Sequence, residues 1–155
     1  MQKTSELDET DLRILRMLRN DSRTSLQEIG KQVGLSTSPC WQRIKRMEEA
    51  GVLKGYTAKI DLAALGYHDT LIVQLTLQHH SEEVLEEFEQ ALAAIPEVVE
   101  AYLVSGEYDY WLRIVAKDTR DYERLLREKL YRIPGIRHSV STFVLRELKA
   151  NSIPI

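Results

Sequence analysis

A chain of 155 residues with 43% hydrophobic and 29% charged residues is long enough for one average domain or two small ones, and its composition is that of a soluble globular protein. No apolar run approaches the ~18 to 20 residues that span a bilayer, which excludes a membrane-spanning helix. Cys40 is the only cysteine, so an internal disulfide and a multi-cysteine zinc site are excluded as well.

The net charge of −3 hides an asymmetry: residues 1–60 carry 11 Lys/Arg against 8 Asp/Glu, whereas residues 61–155 carry 10 against 16. Only the first part suits a polyanionic partner. The stretch from Met1 to Asp11 is polar and acidic, unlike a secretion signal or an Arg-rich transit peptide, and the expectation is a cytoplasmic protein.

In chain order, Asp8 reads as the N-cap of a first helix with acidic residues in its first turn, Leu12, Leu15 and Leu18 on one face, and a stop at Asn20. Ser25-Leu26-Gln27-Glu28 has the form of a capping box, in which serine and glutamate satisfy each other's backbone donors. It opens a second helix burying Leu26, Ile29 and Val33. Gly34 can take the left-handed conformation that ends this helix, and Leu35-Ser36 follows at once, so the next helix must cross it steeply.

The third helix is expected from Ser36 or Ser38 to Ala50, with Pro39 tolerated in its first turn, Gly51 as terminator, and Cys40, Ile44 and Met47 facing inward. Residues 52–58 read as a short β-wing and an exit strand. These features assign residues 1–62 to a winged helix-turn-helix and residues 63–155 to a second domain.

After a turn at Leu65-Gly66-Tyr67, Leu71, Val73, Leu75 and Leu77 alternate with Ile72, Gln74 and Thr76 as in a half-buried strand. A helix bearing Val84, Leu85, Phe88 and Leu92 follows, then a hairpin of strands from Val98 to Val104 and from Tyr108 to Ala116. A helix with Tyr122, Leu125, Leu126 and Leu130 and a strand from Ile136 to Leu145 complete the order βαββαβ. The stretch from Ala91 to Val98 is echoed 38 residues later from Lys129 to Ile136, each a helix end, an Ile-Pro turn and a strand start. Two such βαβ units give an α+β, ferredoxin-like sandwich. Its helices cover one sheet face only, so the other seeks a partner, and a homodimer is expected.

Ser36, Thr37 and Ser38 place hydroxyls and free backbone donors at the helix end that a helix-turn-helix points into the major groove, with Trp41, Gln42, Lys45 and Arg46 on or beside the outward face. Gln42 suits an adenine edge, and the cations suit phosphate or guanine. Arg43 is open between a phosphate contact and a structural salt bridge, and Trp41 between a DNA-facing and a packed position. Lys31 and Lys54 add backbone contacts at most. Three basic residues alone describe an ordinary solvated face; the capping box, glycine turn, polar helix start and wing together point to double-stranded DNA.

Catalysis is not expected: the sequence holds no G-x-S-x-G elbow, no H-E-x-x-H and no phosphate loop, and Cys40 falls on a core face. His68, His79, His80 and His138 have no metal-ligand spacing, so neither a metal nor a cofactor is expected.

Leu7-Asp8, Asp11, Ile14-Leu15, Arg23, the run from Val33 to Ser36, Pro39-Cys40, Arg43, Gly51 and Gly55-Tyr56 resemble the Lrp/AsnC (leucine-responsive/asparagine, feast-famine) regulators. So do the run from Leu103 to Leu112, similar to that family's ligand-sensing hairpin, and Ile133-Pro134-Gly135 with Phe143-Val144-Leu145, similar to its closing segment. One position departs from the usual family wording: the aromatic Trp111 follows Tyr110 where an aliphatic residue is frequent.

The resemblance covers nearly the whole chain. It implies a sequence-specific transcription regulator with a C-terminal RAM/ACT-like domain that dimerises through its sheet, assembles further into octamers and binds a small effector, usually an amino acid, in a cleft between dimers. The implied effector residues are Ser105, Gly106, Glu107, Tyr108 and Asp109, with Ser141 and Thr142 from the last strand. Gly106 would allow close backbone approach and Asp109 would pair with an α-ammonium, although Gly106 also suits any hairpin and Asp109 also suits a structural role. The alternative function is an architectural DNA-organising protein without an effector.

Overall fold

The computed structural model describes residues 7–149, which form two compact units dividing between Lys59 and Ile60. The first holds α1 (Glu9–Asn20), α2 (Leu26–Val33) and α3 (Thr37–Glu49). Asp8 caps α1 through a reciprocal box: its carboxylate accepts from the Asp11 amide and the Asp11 carboxylate accepts from its own. The buried stripe of α1 is Asp11, Ile14, Leu15 and Leu18, with Leu12 only half-buried. These pack with Ile29, Cys40, Ile44 and Met47 into one core, against which Leu26 and Val33 lie partly buried.

The box expected at Ser25 forms by half. Ser25 Oγ accepts from the Glu28 amide at 3.2 Å, but the Glu28 carboxylate turns along the helix to accept from Gln32 Nε2 at 3.1 Å. An i,i+4 partner on the same face outcompetes the return bond.

Gly34 ends α2 with φ +73°, and the Leu35 amide donates to Gly30 O at 2.9 Å, closing the turn into α3. The steep crossing is permitted by a second glycine: a Cβ at Gly30 would lie 2.4 Å from Leu35 O.

The wing is not a strand. Residues 52–61 pair with no ladder, because the first two amides of the segment turn back to the helix they leave: Val52 N and Leu53 N both donate to Met47 O, at 2.9 and 3.1 Å. Tyr56 OH then donates to Glu48 Oε1 at 2.8 Å. Burial, reinforced by that carboxylate, pushes the Tyr56 phenol up to about 12.

The second unit has β1 (Asp69–Leu77), α4 (Glu82–Ala93), β2 (Val98–Leu103), β3 (Tyr110–Ala116), α5 (Thr119–Glu128) and β4 (Ile136–Phe143). Its antiparallel sheet has the order β2-β3-β1-β4, the topology of a βαββαβ sandwich. Leu71, Val73, Leu75 and Leu77 meet Phe88 and Leu92 of α4 and Tyr122 and Leu125 of α5 in a second core. The two Ile-Pro turns behave alike: Ile95 and Ile133 are both buried in it. The opposite face carries Ile72 and Gln74, in register with Arg113 and Trp111 of β3 and Thr142 and Val140 of β4. It is mixed rather than apolar, and Arg113 Nη2 donates to Glu100 Oε1 on it at 2.6 Å.

Candidate functional site

The sequence of α3 divides its residues between core and surface. Cys40, Ile44 and Met47 are buried, which leaves Ser36, Thr37, Ser38, Trp41, Gln42, Lys45 and Arg46 exposed, with Arg43 half-buried. Ser36 is the N-cap residue by position, yet its hydroxyl makes no capping bond. A helix N-terminus with its first-turn amides and three hydroxyls on the surface is chemically suited to a phosphate oxygen or a base edge. Trp41 is 50% exposed and therefore not a core residue of this unit. Lys45 Nζ lies 4.9 Å from the centre of its ring, a cation–π contact that holds the ammonium beside the indole.

The two arginines are differently engaged. Arg43 Nη1 donates to Asp8 Oδ2 at 2.6 Å and to Asp11 Oδ1 at 2.9 Å, and Arg46 Nη2 donates to Asp11 Oδ2 at 2.6 Å. The hydrogen bonds it donates to Asp11 and then to Asp8 raise the Arg43 guanidinium above its ordinary value. The amide of Asp11, followed by Arg43, holds the Asp8 carboxyl below the usual range. Sequence reasoning left these carboxylates out of the site. The available signal was Asp11 itself, an acid three and four residues before Ile14 and Leu15 and so on the apolar stripe, where a carboxylate requires a partner.

In the second unit, β2 and β3 are joined by a loop, residues 104–109. Ser105, Gly106 (φ +136°) and Glu107 are exposed, and Tyr108 and Asp109 are half-buried. Asp109 is tied to the end of β1: its amide donates to Leu75 O at 2.8 Å, and its Oδ2 accepts from Leu77 N at 2.7 Å and lies 2.9 Å from His80 Nε2. Desolvation raises the Asp109 carboxyl, but the Leu77 amide and His80 outweigh it, and the group ends below its ordinary value. The partnership with His80 was not foreseen, since the two meet only when β1 and β3 are in register.

Ser141 and Thr142 are adjacent on β4 and point to opposite sheet faces. Ser141 is on the helix side, sharing a hydrogen bond with the Tyr122 hydroxyl; Thr142 is beside Ile72 on the helix-free face. Two hollows lie against α4, one of about 350 Å³ involving Phe88 and Pro134 and one of about 400 Å³ involving Tyr102 and Tyr110. Residues 105–109 line neither. Among the described residues no cluster of three or more His, Cys, Asp or Glu could hold a metal, and no helix is long and apolar enough to cross a membrane.

Comparison with known proteins follows the same division. Residues 7–54 match winged helix-turn-helix DNA-binding domains, and residues 70–154 match the Lrp/AsnC ligand binding domain. The leucine-responsive regulatory protein of Escherichia coli K12 is 37% identical over 147 residues, covering 95% of this chain and 90% of that protein. The proline dehydrogenase transcriptional activator of Rhizobium radiobacter is 35% identical over 151 residues, covering 97% of each.

An AsnC family transcriptional regulator from Agrobacterium tumefaciens superposes with a TM-score of 0.89 at 37% identity, over 95% of both chains. A Neisseria meningitidis transcriptional regulator solved in complex with L-Met also gives 0.89, at 28% identity and 94% coverage of both. These relatives are transcription regulators rather than enzymes. In both its helix-turn-helix and its ligand-binding unit, the chain belongs to the Lrp/AsnC family of DNA-binding transcription regulators.

Proposed function

We propose that the protein acts in the cytoplasm as a homodimer, or a larger assembly of dimers, that inserts the start of α3 into successive major grooves of a sequence-specific site. The observation that carries this reading is the exposed start of α3, with the Ser36, Thr37 and Ser38 hydroxyls, Gln42 and the Trp41–Lys45 pair all on the surface. Gln42 reads a base edge and Lys45 a phosphate or guanine. The effector is an amino acid bound at the hairpin of residues 105–109, completed by a second dimer and shifting the balance of assemblies. The L-Met complex of the Neisseria relative supports that ligand class.

The engagement of Asp109 with Leu77 and His80 favours a second reading, in which the hairpin is structural and the protein organises DNA without an effector. A gel-shift titration on the intergenic DNA beside its own gene, with and without a mixture of amino acids and accompanied by sedimentation analysis, separates the two. Specific binding that the mixture alters supports the regulator. Binding without preference or response supports the architectural reading, and no binding overturns both.

A further inference from the structure

Asp11 is the one charged side chain that is fully buried among the described residues, and everything it holds in α3 is cationic. Its Oδ1 takes Arg43 and its Oδ2 takes Arg46, three residues further along the same helix, while Asp8 takes the same nitrogen of Arg43. Residues at i and i+3 share a helix face, so α1 grips α3 at two points along one line. Such a two-point grip fixes the rotation of α3 about its axis and with it the direction in which Gln42 and Trp41 point.

It also settles the charge balance. Two guanidiniums face two carboxylates, so Arg43 and Arg46 bring almost no net positive charge to the α3 surface, and Lys45 remains, with Glu49 3.8 Å from it.

We propose that Asp11, assisted by Asp8, is a positioning residue for DNA reading: through Arg43 and Arg46 it sets the orientation of α3 and withholds both arginines from phosphate. This rests on the DNA-reading function proposed above. Without the grip, each guanidinium becomes a non-specific phosphate ligand; with it, affinity depends more on what the groove-facing side chains meet. Arg43 and Arg46 thereby serve specificity without touching DNA.

The salt dependence of binding tests this, because each phosphate contact adds about −0.9 to the slope of log affinity against log salt. In the full-length protein, Arg43→Ala is expected to weaken specific binding and leave the slope unchanged. Asp11→Asn, nearly isosteric, is expected to steepen the slope by as much as about 2 and lower the ratio of specific to non-specific affinity. Asp8 is half-exposed, so Asp8→Asn is the variant to use if the Asp11 variant fails to fold; it removes one of the two carboxylates on Arg43, leaves Asp11 holding Arg43 and Arg46, and is expected to steepen the slope by less than about 1.

Arg43→Lys completes the set, since a lysine in place of a phosphate ligand keeps the positive charge and with it the salt slope. A slope flattened by about 1 in Arg43→Ala, restored by Arg43→Lys, would make Arg43 a phosphate contact and overturn the proposal. So would an unchanged slope and unchanged specificity ratio in a folded Asp11→Asn. Failure of the wild type to bind DNA would instead overturn the DNA reading on which the proposal stands.

Discussion

Gly30 occupies the interior of a helix, where glycine costs about 0.5–1 kcal/mol relative to alanine, so its place there needs a compensating reason. The reason is the 2.4 Å between an added Cβ and the Leu35 carbonyl oxygen, a backbone atom that no rotamer change can move. Gly30→Ala, although it raises helix propensity, is expected to destabilise the DNA-binding unit by about 1–3 kcal/mol through overpacking of the α2–α3 turn. Chemical denaturation followed by circular dichroism measures it. A stabilised variant would mean that the turn relaxes freely.

Asp109 shows the same economy of local bonding in the other unit. Its carboxyl lies below its ordinary value of 3.8 in the folded chain, so the unfolded chain binds the proton more readily. The stability it contributes is therefore complete above that ordinary value and lost as pH falls through it toward the folded one. In a Trp41→Phe background, where fluorescence reports Trp111, the denaturation midpoint is expected to drop as pH falls below 3.8 less steeply in Asp109→Asn than with aspartate. At neutral pH the asparagine is expected to cost about 1 kcal/mol, since it still accepts from Leu77 but loses the charge assistance. An equally steep acid limb in both would show that another group governs it.

At the scale of elements, the two helix starts differ in a way that sequence cannot display. Asp8-x-x-Asp11 and Ser25-x-x-Glu28 share one pattern, yet only the first closes reciprocally. Ser25→Ala is expected to cost about 1 kcal/mol and Glu28→Ala only a few tenths, because the serine alone satisfies a backbone donor. Equal costs in thermal melts would restore the full box.

Among the described residues, α1 to α5 and β1 to β4 were legible from periodicity and capping residues, within a residue or two at most ends, because both cores are built from regular apolar faces; the short 3-10 turns at 63–65 and 130–132 were not. The wing was misread for a physical reason: Val52, Leu53 and Tyr56 have strand-like side chains, but their bonds run back to Met47 and Glu48. At the candidate site, the surface start of α3 was legible from the burial of Cys40, Ile44 and Met47. The ties of Asp11 to Arg43 and Arg46, more than thirty residues away, were not, since only tertiary packing brings them together.

For the whole molecule, the dimer proposed above would bring two α3 helices to DNA together, and the helix-free sheet face is the surface proposed to join its copies. Ile72 stands near its middle, half-buried, with Arg113 and Thr142 as its cross-strand neighbours. If two copies pair through this face, Ile72→Asp places a carboxylate where it must be desolvated, and breaking dimerisation offsets that cost by returning it to water. In a separated copy the new carboxylate has Arg113 beside it, so the fold is expected to survive. Sedimentation is expected to show a monomer with an unchanged thermal melt. Binding to a single half-site is expected to stay near the wild-type value, while binding to a two-half-site fragment falls by about 10²-fold or more, as avidity is lost. A dimer that persists with Ile72→Asp would move the interface to another surface, and an equal loss on both DNA fragments would place the damage inside the fold rather than between copies.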